Sequence, residues 1–242
     1  MLKRLTAIAR RSQFEPGLLS LFVNPFYFAR AGLYRNIKAL AGHVTGKVLD
    51  VGCGQKPYEY LFPAGQYIGL ELDTPENRLL KRADCFYAGR VFPFSDGYFD
   101  SVVINQVFEH IFTPDEFLGE VRRILKPGGV LLLTVPFLWD EHEQPHDYVR
   151  YTSFGIRSLL ERNGFEVREQ RKSVADARVV FQMINVYIYK KIVTRFSALN
   201  VLLTVLLMMP WNLAGELAGF ILPHNDDLYL DNVVLARKVP HA

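Results

Sequence analysis

Short apolar runs separated by polar segments organise the middle of the chain. Four of them are rich in Val, Ile and Leu and lie at 48–51, 67–70, 101–104 and 130–135. Between the last two, Phe117, Leu118 and Val121 fall on one face of a helix that Pro114 opens. Continuous apolar runs are typical of strands buried on both faces, and strands alternating with helices favour a parallel sheet. We therefore expect an α/β domain with right-handed crossovers.

The pattern continues after residue 150 and then changes. Residues 153–162 indicate a helix that begins near Thr152 or Ser153 and ends before Gly164, and 165–171 indicate a strand. The following segment, 174–226, interrupts this alternation with long apolar stretches.

One part of this segment is apolar enough to raise the question of a membrane. Residues 199–222 hold a single charge, Glu216. Their length permits a membrane span, but one crossing would separate the final strand, near Val233, from its sheet. Pro210 is expected to divide the stretch into two shorter helices. The alternatives are a membrane-surface segment or shallow hairpin, a buried lid and a dimer interface.

The most informative polar positions follow the first run, where Asp50 precedes Gly52, Cys53 and Gly54. Glycine lets the backbone turn sharply and approach a ligand closely. A dinucleotide fingerprint needs a third glycine at position 57, which is Pro57, so an NAD-dependent oxidoreductase is disfavoured. No Gly-Lys-Ser/Thr of a P-loop follows. An acid before the turn suits a ligand with an ammonium group and hydroxyls, such as S-adenosylmethionine.

The second apolar run also ends in an acid. Glu71 lies 17 positions after Gly54, near the spacing at which an acid meets ribose hydroxyls. Its two oxygens can accept from two cis hydroxyls. Asp73 competes for the same role, and a solvated strand end is the structural alternative.

The chain resembles the class I S-adenosylmethionine-dependent methyltransferases, specifically the bacterial type 11 methyltransferase group. The resemblance rests on five stretches in the family's order: VLDVGCGQKPY, YIGLELD, VFPFSDGYFDSVVINQVFEHI, LKPGGVLLLTVPF and HEQPHDYVRYTSFG. DNVVLARK, from Asp231, resembles the family's last strand. The resemblance implies a Rossmann-like, doubly wound sheet of seven mostly parallel strands. The last strand is expected to be antiparallel, with an apolar helical insertion before it.

Three parts of the chain follow from this resemblance. We expect an N-terminal helical cap over residues 1–45, with breaks near Pro16 and Asn24, that covers the cofactor cleft. The methyltransferase domain is expected over 46–173 and 227–242, and the hydrophobic helical insertion over 174–226.

The resemblance also implies a cofactor site for S-adenosyl-L-methionine. The backbone of Asn105 is expected near the methionine ammonium, with Gln106 beside it, and Asp84 is expected to accept from the adenine amino group. Ala88 departs from the family, since many relatives have an acid there, and this predicts a looser grip on the cofactor. The full set is Asp50, Gly52, Cys53, Gly54, Glu71, Leu72, Asp84, Asn105 and Gln106.

Catalytic candidates cluster in the polar loop after the fourth run. His142 is the first choice as general base, because a neutral imidazole accepts a hydroxyl proton near pH 7 and the family motif reads His-Glu-x-Pro-x-Asp-x-x-Arg-Tyr-Thr. His146, at a variable position of this motif, ranks second. Asp147 could orient a histidine or accept from substrate, and Arg150 could hold an acidic acceptor; a purely structural Asp147–Arg150 ion pair is the alternative. His110 either lies near the methyl-transfer site or buttresses the helix below it.

Composition limits the compartment and the partners. The length, 242 residues, fits one α/β domain with an insertion, and the net charge of +3 implies no nucleic-acid partner. Cys53 and Cys85 fit neither a metal spacing nor a disulfide framework, so no metal site is expected and a reducing compartment suits the chain. The N-terminal residues lack the apolar core of a secretory signal. We expect a cytoplasmic protein, with the inner face of the membrane as an option.

The leading interpretation is an enzyme that methylates oxygen by direct in-line transfer. Its acceptor is expected to be a glycan, a lipid-linked molecule or a hydrophobic small molecule; a nitrogen acceptor stays open, since an amine needs less help from a base. The competing interpretation is a non-catalytic module with the same fold that docks to a membrane or a partner protein through 174–226. Residues 199–222 predict either peripheral membrane contact or a homodimer interface.

Overall fold

The computed structural model describes residues 13–240 of the chain, so residues 1–12 of the predicted N-terminal cap lie outside the described residues. The strands are β1 (Gly46–Val51), β2 (Ala64–Leu72), β3 (Cys85–Tyr87), β4 (Phe99–Asn105), β5 (Leu125–Pro136), β6 (Phe165–Ser173) and β7 (Asp231–Lys238). The helices are α1 (Ser20–Val23), α2 (Tyr27–Leu40), α3 (Pro75–Leu80), α4 (Pro114–Ile124), α5 (Ser153–Arg162), α6 (Arg178–Ile192), α7 (Ser197–Leu203) and α8 (Met209–Ile221). Short 3-10 turns lie at Ala41–His43, Glu59–Leu61 and Phe108–His110.

The seven strands form one sheet in the order β3-β2-β1-β4-β5-β7-β6. β1 pairs in parallel with both β2 and β4, β2 with β3, and β4 with β5. Six strands are parallel and one, near the end, is antiparallel, which confirms the predicted fold class. The chain order reverses between β1 and β4, and ligands of such sheets bind beyond the carboxyl ends of the strands at that point.

Burial explains why the apolar runs became strands. Leu49 of β1, Ile104 of β4 and Leu133 of β5 are fully buried in one core cluster. The apolar face of α4 packs into the same cluster through Phe117, Leu118 and Val121, as the helical spacing predicts.

Local signals fix the ends of the elements, with one difference from prediction. Thr152 caps α5, because its Oγ1 accepts from the backbone N–H of Gly155 at 3.0 Å. β5 begins at Leu125 rather than at 130, since Leu125 pairs with Phe99 before the register shifts to pair Val130 with Ser101. The residues between these two pairs therefore form an irregularity within the strand, where β5 advances five positions while β4 advances two, and not a break before it.

A second compact unit contains the described residues of 1–36 together with 138–140 and 172–231. Its helices enclose a buried amide network. Asn212 Nδ2 donates to the carbonyl oxygens of Leu21 at 2.8 Å and Asn24 at 3.0 Å, while Asn185 Nδ2 donates to Asn212 Oδ1 at 2.8 Å. An unmade bond at such a group costs about 1–3 kcal/mol, so this network specifies how the helices pack.

The apolar stretch of this unit forms one long helical segment. Ser197–Ile221 spans 25 residues, and 28% of its most apolar 18-residue stretch is buried. By length and composition alone it could cross a membrane. Pro210 does not interrupt this segment, because it lies in the first turn of α8, where its missing N–H is tolerated; α7 passes into α8 through a π turn at Thr204–Met208, directly before it. Large apolar side chains at helical spacing are each at least 40% exposed: Leu199, Leu202, Leu206, Leu213, Leu217 and Phe220.

Candidate functional site

The loop after β1 needs its glycines for both conformation and space. Gly52 has φ +70° and Gly54 has φ +53°, which L side chains rarely adopt. A Cβ on Gly52 would also lie 2.3 Å from Cγ2 of Val107, the residue that follows Gln106 after β4. The loops that follow β1 and β4 therefore pack together at the carboxyl edge of the sheet.

Glu71 lies where the sequence places the ribose acceptor. It is 8% exposed near the end of β2, and its Oε1 accepts from the backbone N–H of Gly54 at 2.7 Å. Leu72 follows it, 44% exposed, with its Cδ2 close to Gly89. The competitor Asp73 is instead exposed and paired with Arg78 at 2.6 Å. Burial beside the glycine loop thus favours Glu71 over Asp73.

Asp50 is a buried acid near the end of β1, directly before this loop. Its Oδ2 accepts from the Tyr67 hydroxyl at 2.8 Å. Burial raises the pKa of Asp50 to about 7; the Tyr67 bond opposes this rise and the negative charge of Glu71 adds to it. Two neighbouring buried acids favour a cation, because a positive group compensates their negative charge. The ammonium and sulfonium groups of S-adenosylmethionine fit that requirement.

Asp50, Glu71 and the glycine loop at 52–54 form what we call the cradle. Cys53 and Asp84 support it through packing and hydrogen bonds. The Cys53 side chain is buried against Gly69, and burial raises the pKa of its thiol to about 12, which keeps the thiol neutral. Asp84 accepts from the Lys56 ammonium and, at 2.6 Å, from the backbone N–H of Gly69. These bonds lower the pKa of Asp84 against the opposing effect of burial. Its predicted role at the adenine stays a prediction.

Asn105 and Gln106 are held at the end of β4 by Thr134. Gln106 has φ +54°, and its backbone N–H and its Nε2 approach the Thr134 hydroxyl at 3.1 and 3.2 Å. Thr134 Oγ1 in turn donates to Asn105 Oδ1 at 2.7 Å. This buried threonine of β5 was not predicted from the sequence, where it stands inside an apolar run with no polar neighbours.

The loop after β5 brings three of the predicted catalytic residues together. Arg150 donates to both oxygens of Asp147, at 2.5 and 2.6 Å, which holds the pKa of Asp147 at about 2. Asp147 Oδ2 also accepts from the backbone N–H of His142 at 3.0 Å and lies 3.2 Å from its Nδ1. The Asp147–Arg150 ion pair therefore closes the loop and orients His142, so the two predicted roles coexist.

His110 faces His142 from the 3-10 turn after β4. The ring centroids are 4.9 Å apart at 76°. His110 Nδ1 is 2.8 Å from the backbone oxygen of His146, whereas the His146 ring itself turns to the Tyr148 hydroxyl at 3.0 Å in an exposed position. The His110 ring thus lies against the His142 ring, whereas His146 contacts His110 through its backbone oxygen.

Glu109 lies beneath the two histidines and was not predicted as a site residue. It is fully buried, and its Oε1 is 3.8 Å from His142 Nε2 and 3.9 Å from His110 Nε2. The sequence signal was its place directly before His110. An acid in an otherwise apolar stretch after a strand is either exposed to solvent or part of a functional site.

Known proteins resemble the part of the chain that carries this site. Residues 49–133 match the family model described as "Methyltransferase domain". A probable S-adenosylmethionine-dependent methyltransferase of Mycolicibacterium smegmatis is 31% identical over 144 residues, covering 54% of this chain and 56% of that protein. A fatty-acid O-methyltransferase of the same organism is 36% identical over 115 residues, covering 42% and 41%.

A solved structure extends the likeness to nearly the whole fold. Phosphoethanolamine N-methyltransferase 2 of Haemonchus contortus, in complex with phosphomonomethylethanolamine and S-adenosylhomocysteine, matches with a TM-score of 0.54 at 18% identity. It covers 99% of this chain and 61% of that one. At this identity the match concerns the fold alone. In sequence, the chain spans about half the length of the curated relatives it matches.

Proposed function

We propose that this chain, whose residues 49–133 match the methyltransferase-domain family model, is an S-adenosylmethionine-dependent enzyme that transfers a methyl group to the oxygen of an apolar or lipid-linked acceptor. The observation that carries the proposal is the pair of buried acids, Asp50 and Glu71, beside a loop in which Gly52 is sterically required and both Gly52 and Gly54 have positive φ. This cradle takes a cationic nucleoside and disfavours a pyrophosphate.

The cradle and the histidines share one edge of the sheet. Asp50 and Glu71 lie near the carboxyl ends of β1 and β2, while His110 and His142 follow β4 and β5. Carboxyl ends of neighbouring parallel strands meet at the same edge, so a donor in the cradle and an acceptor beside His142 are brought together.

When bound, S-adenosylmethionine supplies a methyl group on a sulfonium sulfur, which keeps the S–C electron pair as the new O–C bond forms. The chain's own residues position the acceptor and receive its proton. Asp147 accepts at the Nδ1 side of His142, which leaves Nε2 as the basic nitrogen that takes the hydroxyl proton. Arg150 keeps Asp147 ionised, so that this orientation is maintained.

The nature of the acceptor is proposed from the second compact unit. The exposed apolar face of α7 and α8, defined by the six side chains from Leu199 to Phe220 named above, is larger than isolated surface residues produce. Exposed Lys191 and Arg195 precede it and suit an anionic membrane surface. An acceptor dissolved in that surface would be a lipid-linked glycan or another apolar hydroxyl compound, and the chain would act at the cytoplasmic face. The fatty-acid O-methyltransferase named above acts, by its name, on a hydrophobic oxygen acceptor.

Calorimetric titration with S-adenosylmethionine tests the central claim, with glycine variants as the perturbation. Gly52→Ala combines a φ of +70° with a 2.3 Å contact and should abolish measurable binding. Gly54→Ala introduces no close contact and is disfavoured only by the φ of +53°, so it should weaken binding to a smaller extent.

Gly42→Ala is the matched control, because a Cβ there meets nothing within 4 Å, and it should bind like the unmodified chain. If the unmodified chain fails to bind the cofactor at millimolar concentration, the methyltransferase proposal is wrong and a docking module is favoured. Unchanged affinity in Gly52→Ala would place the cofactor elsewhere.

A further inference from the structure

Three potential ligand atoms converge between the turn after β4 and the loop after β5. They belong to Glu109, His110 and His142, and all lie within 4.8 Å of one another. The Glu109 oxygen is 3.8–3.9 Å from each histidine Nε2. That is too long for a direct hydrogen bond between these pairs. Four-coordinate zinc, with bonds of about 2.0–2.2 Å, needs ligand atoms roughly 3.4 Å apart, so each Glu109–histidine pair would close by about half an ångström and the two histidine nitrogens by up to about 1.4 Å.

The outer nitrogen of each histidine is already engaged. His110 Nδ1 is 2.8 Å from the His146 backbone oxygen, and a carbonyl can only accept, so Nδ1 carries the hydrogen. His142 Nδ1 lies 3.2 Å from the Asp147 carboxylate. With the hydrogen on Nδ1, the Nε2 atom of each ring is the one that can act as a metal ligand, and both Nε2 atoms lie within 4 Å of Glu109. Histidine ligands of metals are fixed by such outer acceptors.

The charge balance points the same way. Glu109 is fully buried, and a buried carboxylate is costly unless a positive group compensates it. A divalent cation held between Glu109 and the two histidine Nε2 atoms would supply that positive charge.

We propose that Glu109, His110 and His142 bind one divalent transition metal of the zinc class. Two imidazoles and one carboxylate suit zinc, whereas magnesium and calcium prefer oxygen ligands alone. Three protein ligands leave a fourth position open, which the acceptor hydroxyl would occupy. The inference deepens the proposed function and rests on it only for that acceptor.

The metal changes the part that His142 plays. With the metal bound, His142 Nε2 is a ligand and the acceptor proton passes to solvent water, because a Lewis acid lowers the pKa of the hydroxyl it polarises. Without the metal, the same nitrogen is the general base described above. The two roles exclude one another, and the metal content of the protein decides between them. No cysteine or histidine spacing in the sequence revealed this group, because its members come from two loops brought together by the fold.

The test is direct metal binding by the full chain, purified without a histidine tag and stripped with a chelator. Zn²⁺ titrated calorimetrically should bind with one equivalent per chain, and Co²⁺ should give visible d–d absorption of a four- or five-coordinate site. Glu109→Gln, His110→Gln and His142→Gln should each weaken Zn²⁺ binding at least 100-fold and abolish the cobalt spectrum.

Two controls locate the site. His146→Gln keeps the backbone oxygen that His110 contacts and should retain the metal, as should His43→Gln, an exposed histidine outside the group. Circular dichroism confirms that each variant is folded; should one of the three fail to fold, the other two still decide the outcome.

Substoichiometric Zn²⁺ binding, or equal binding by His110→Gln and His142→Gln, would overturn the proposal. S-adenosylmethionine titrated in parallel separates the two claims. Cofactor binding without metal binding refutes the metal site alone, and metal binding without cofactor binding refutes the proposed function alone.

Discussion

Asp50→Asn should stabilise the cofactor-free protein and weaken cofactor binding at the same time. The substitution keeps an oxygen that accepts from the Tyr67 hydroxyl but removes the charge of a side chain that is 5% exposed. Burial raises the pKa of Asp50 from 3.8 to about 7, which corresponds to about 4 kcal/mol.

The sign of the pH dependence follows from where the proton is held. In the unfolded chain Asp50 ionises near its ordinary value, whereas in the folded chain it stays protonated up to about pH 7. Between these values the folded state binds more protons, so the free energy of unfolding falls as pH rises. The contribution of Asp50 to the free energy of unfolding is favourable below about pH 4 and is lost by about pH 8. Removing the acid should therefore help more at pH 8 than at pH 5, by about 2–3 kcal/mol.

Urea denaturation without cofactor, at pH 5 and pH 8, measures this difference directly. Asp73→Asn is the control, because Asp73 is exposed and its Arg78 partner lowers its pKa, so its effect should not grow with pH. Calorimetry should show that the unmodified chain binds the cofactor more tightly as pH rises from about 5.5 to about 7.5. This range lies below that in which the cofactor's amine loses its proton. A variant that is destabilised equally at both pH values, or that binds the cofactor normally, would refute the reasoning.

Two further predictions concern the acceptor side. Asp147→Asn should lower methyl transfer at least tenfold while cofactor affinity changes less than twofold, because Asp147 orients His142 and lies outside the cradle; a parallel loss of cofactor affinity in titration would contradict this assignment. The full chain should float with phosphatidylglycerol vesicles, and the double change Leu217→Glu with Phe220→Glu should abolish flotation, because both side chains are more than 60% exposed on the apolar face. The control pair Leu79→Glu with Leu80→Glu, on α3, should float normally; flotation unaffected by the first pair would argue against membrane contact through α8.

The strands and the conformation of the glycine loop could be predicted because their signals are local. An apolar run that ends in an acid and a Gly-x-Gly turn specifies a buried strand and a glycine conformation within seven residues. Gly52 and Gly54 do adopt positive φ, and Asp50 and Glu71 are buried beside them. Each of these properties depends on neighbours that are close in sequence or paired in register.

The remaining features depend on contacts that sequence spacing does not encode. The role of Glu109 depends on its contact with His142, 33 positions away. The role of Thr134 depends on Asn105 and Gln106, at the end of the adjacent strand. The continuous helix through Pro210 was missed because a proline was expected to interrupt the run, whereas the π turn before it leaves the proline in a first turn.

The bond between Leu230 N–H and the Ser173 oxygen, at 2.9 Å, ties together the two points where the long excursion leaves and rejoins the sheet. Because its ends meet at neighbouring strands, everything between them can be lengthened, shortened or exchanged without shifting the register of β6 and β7. This segment could thus be exchanged in evolution as one cassette, while β1, β2 and β4 are inherited unchanged.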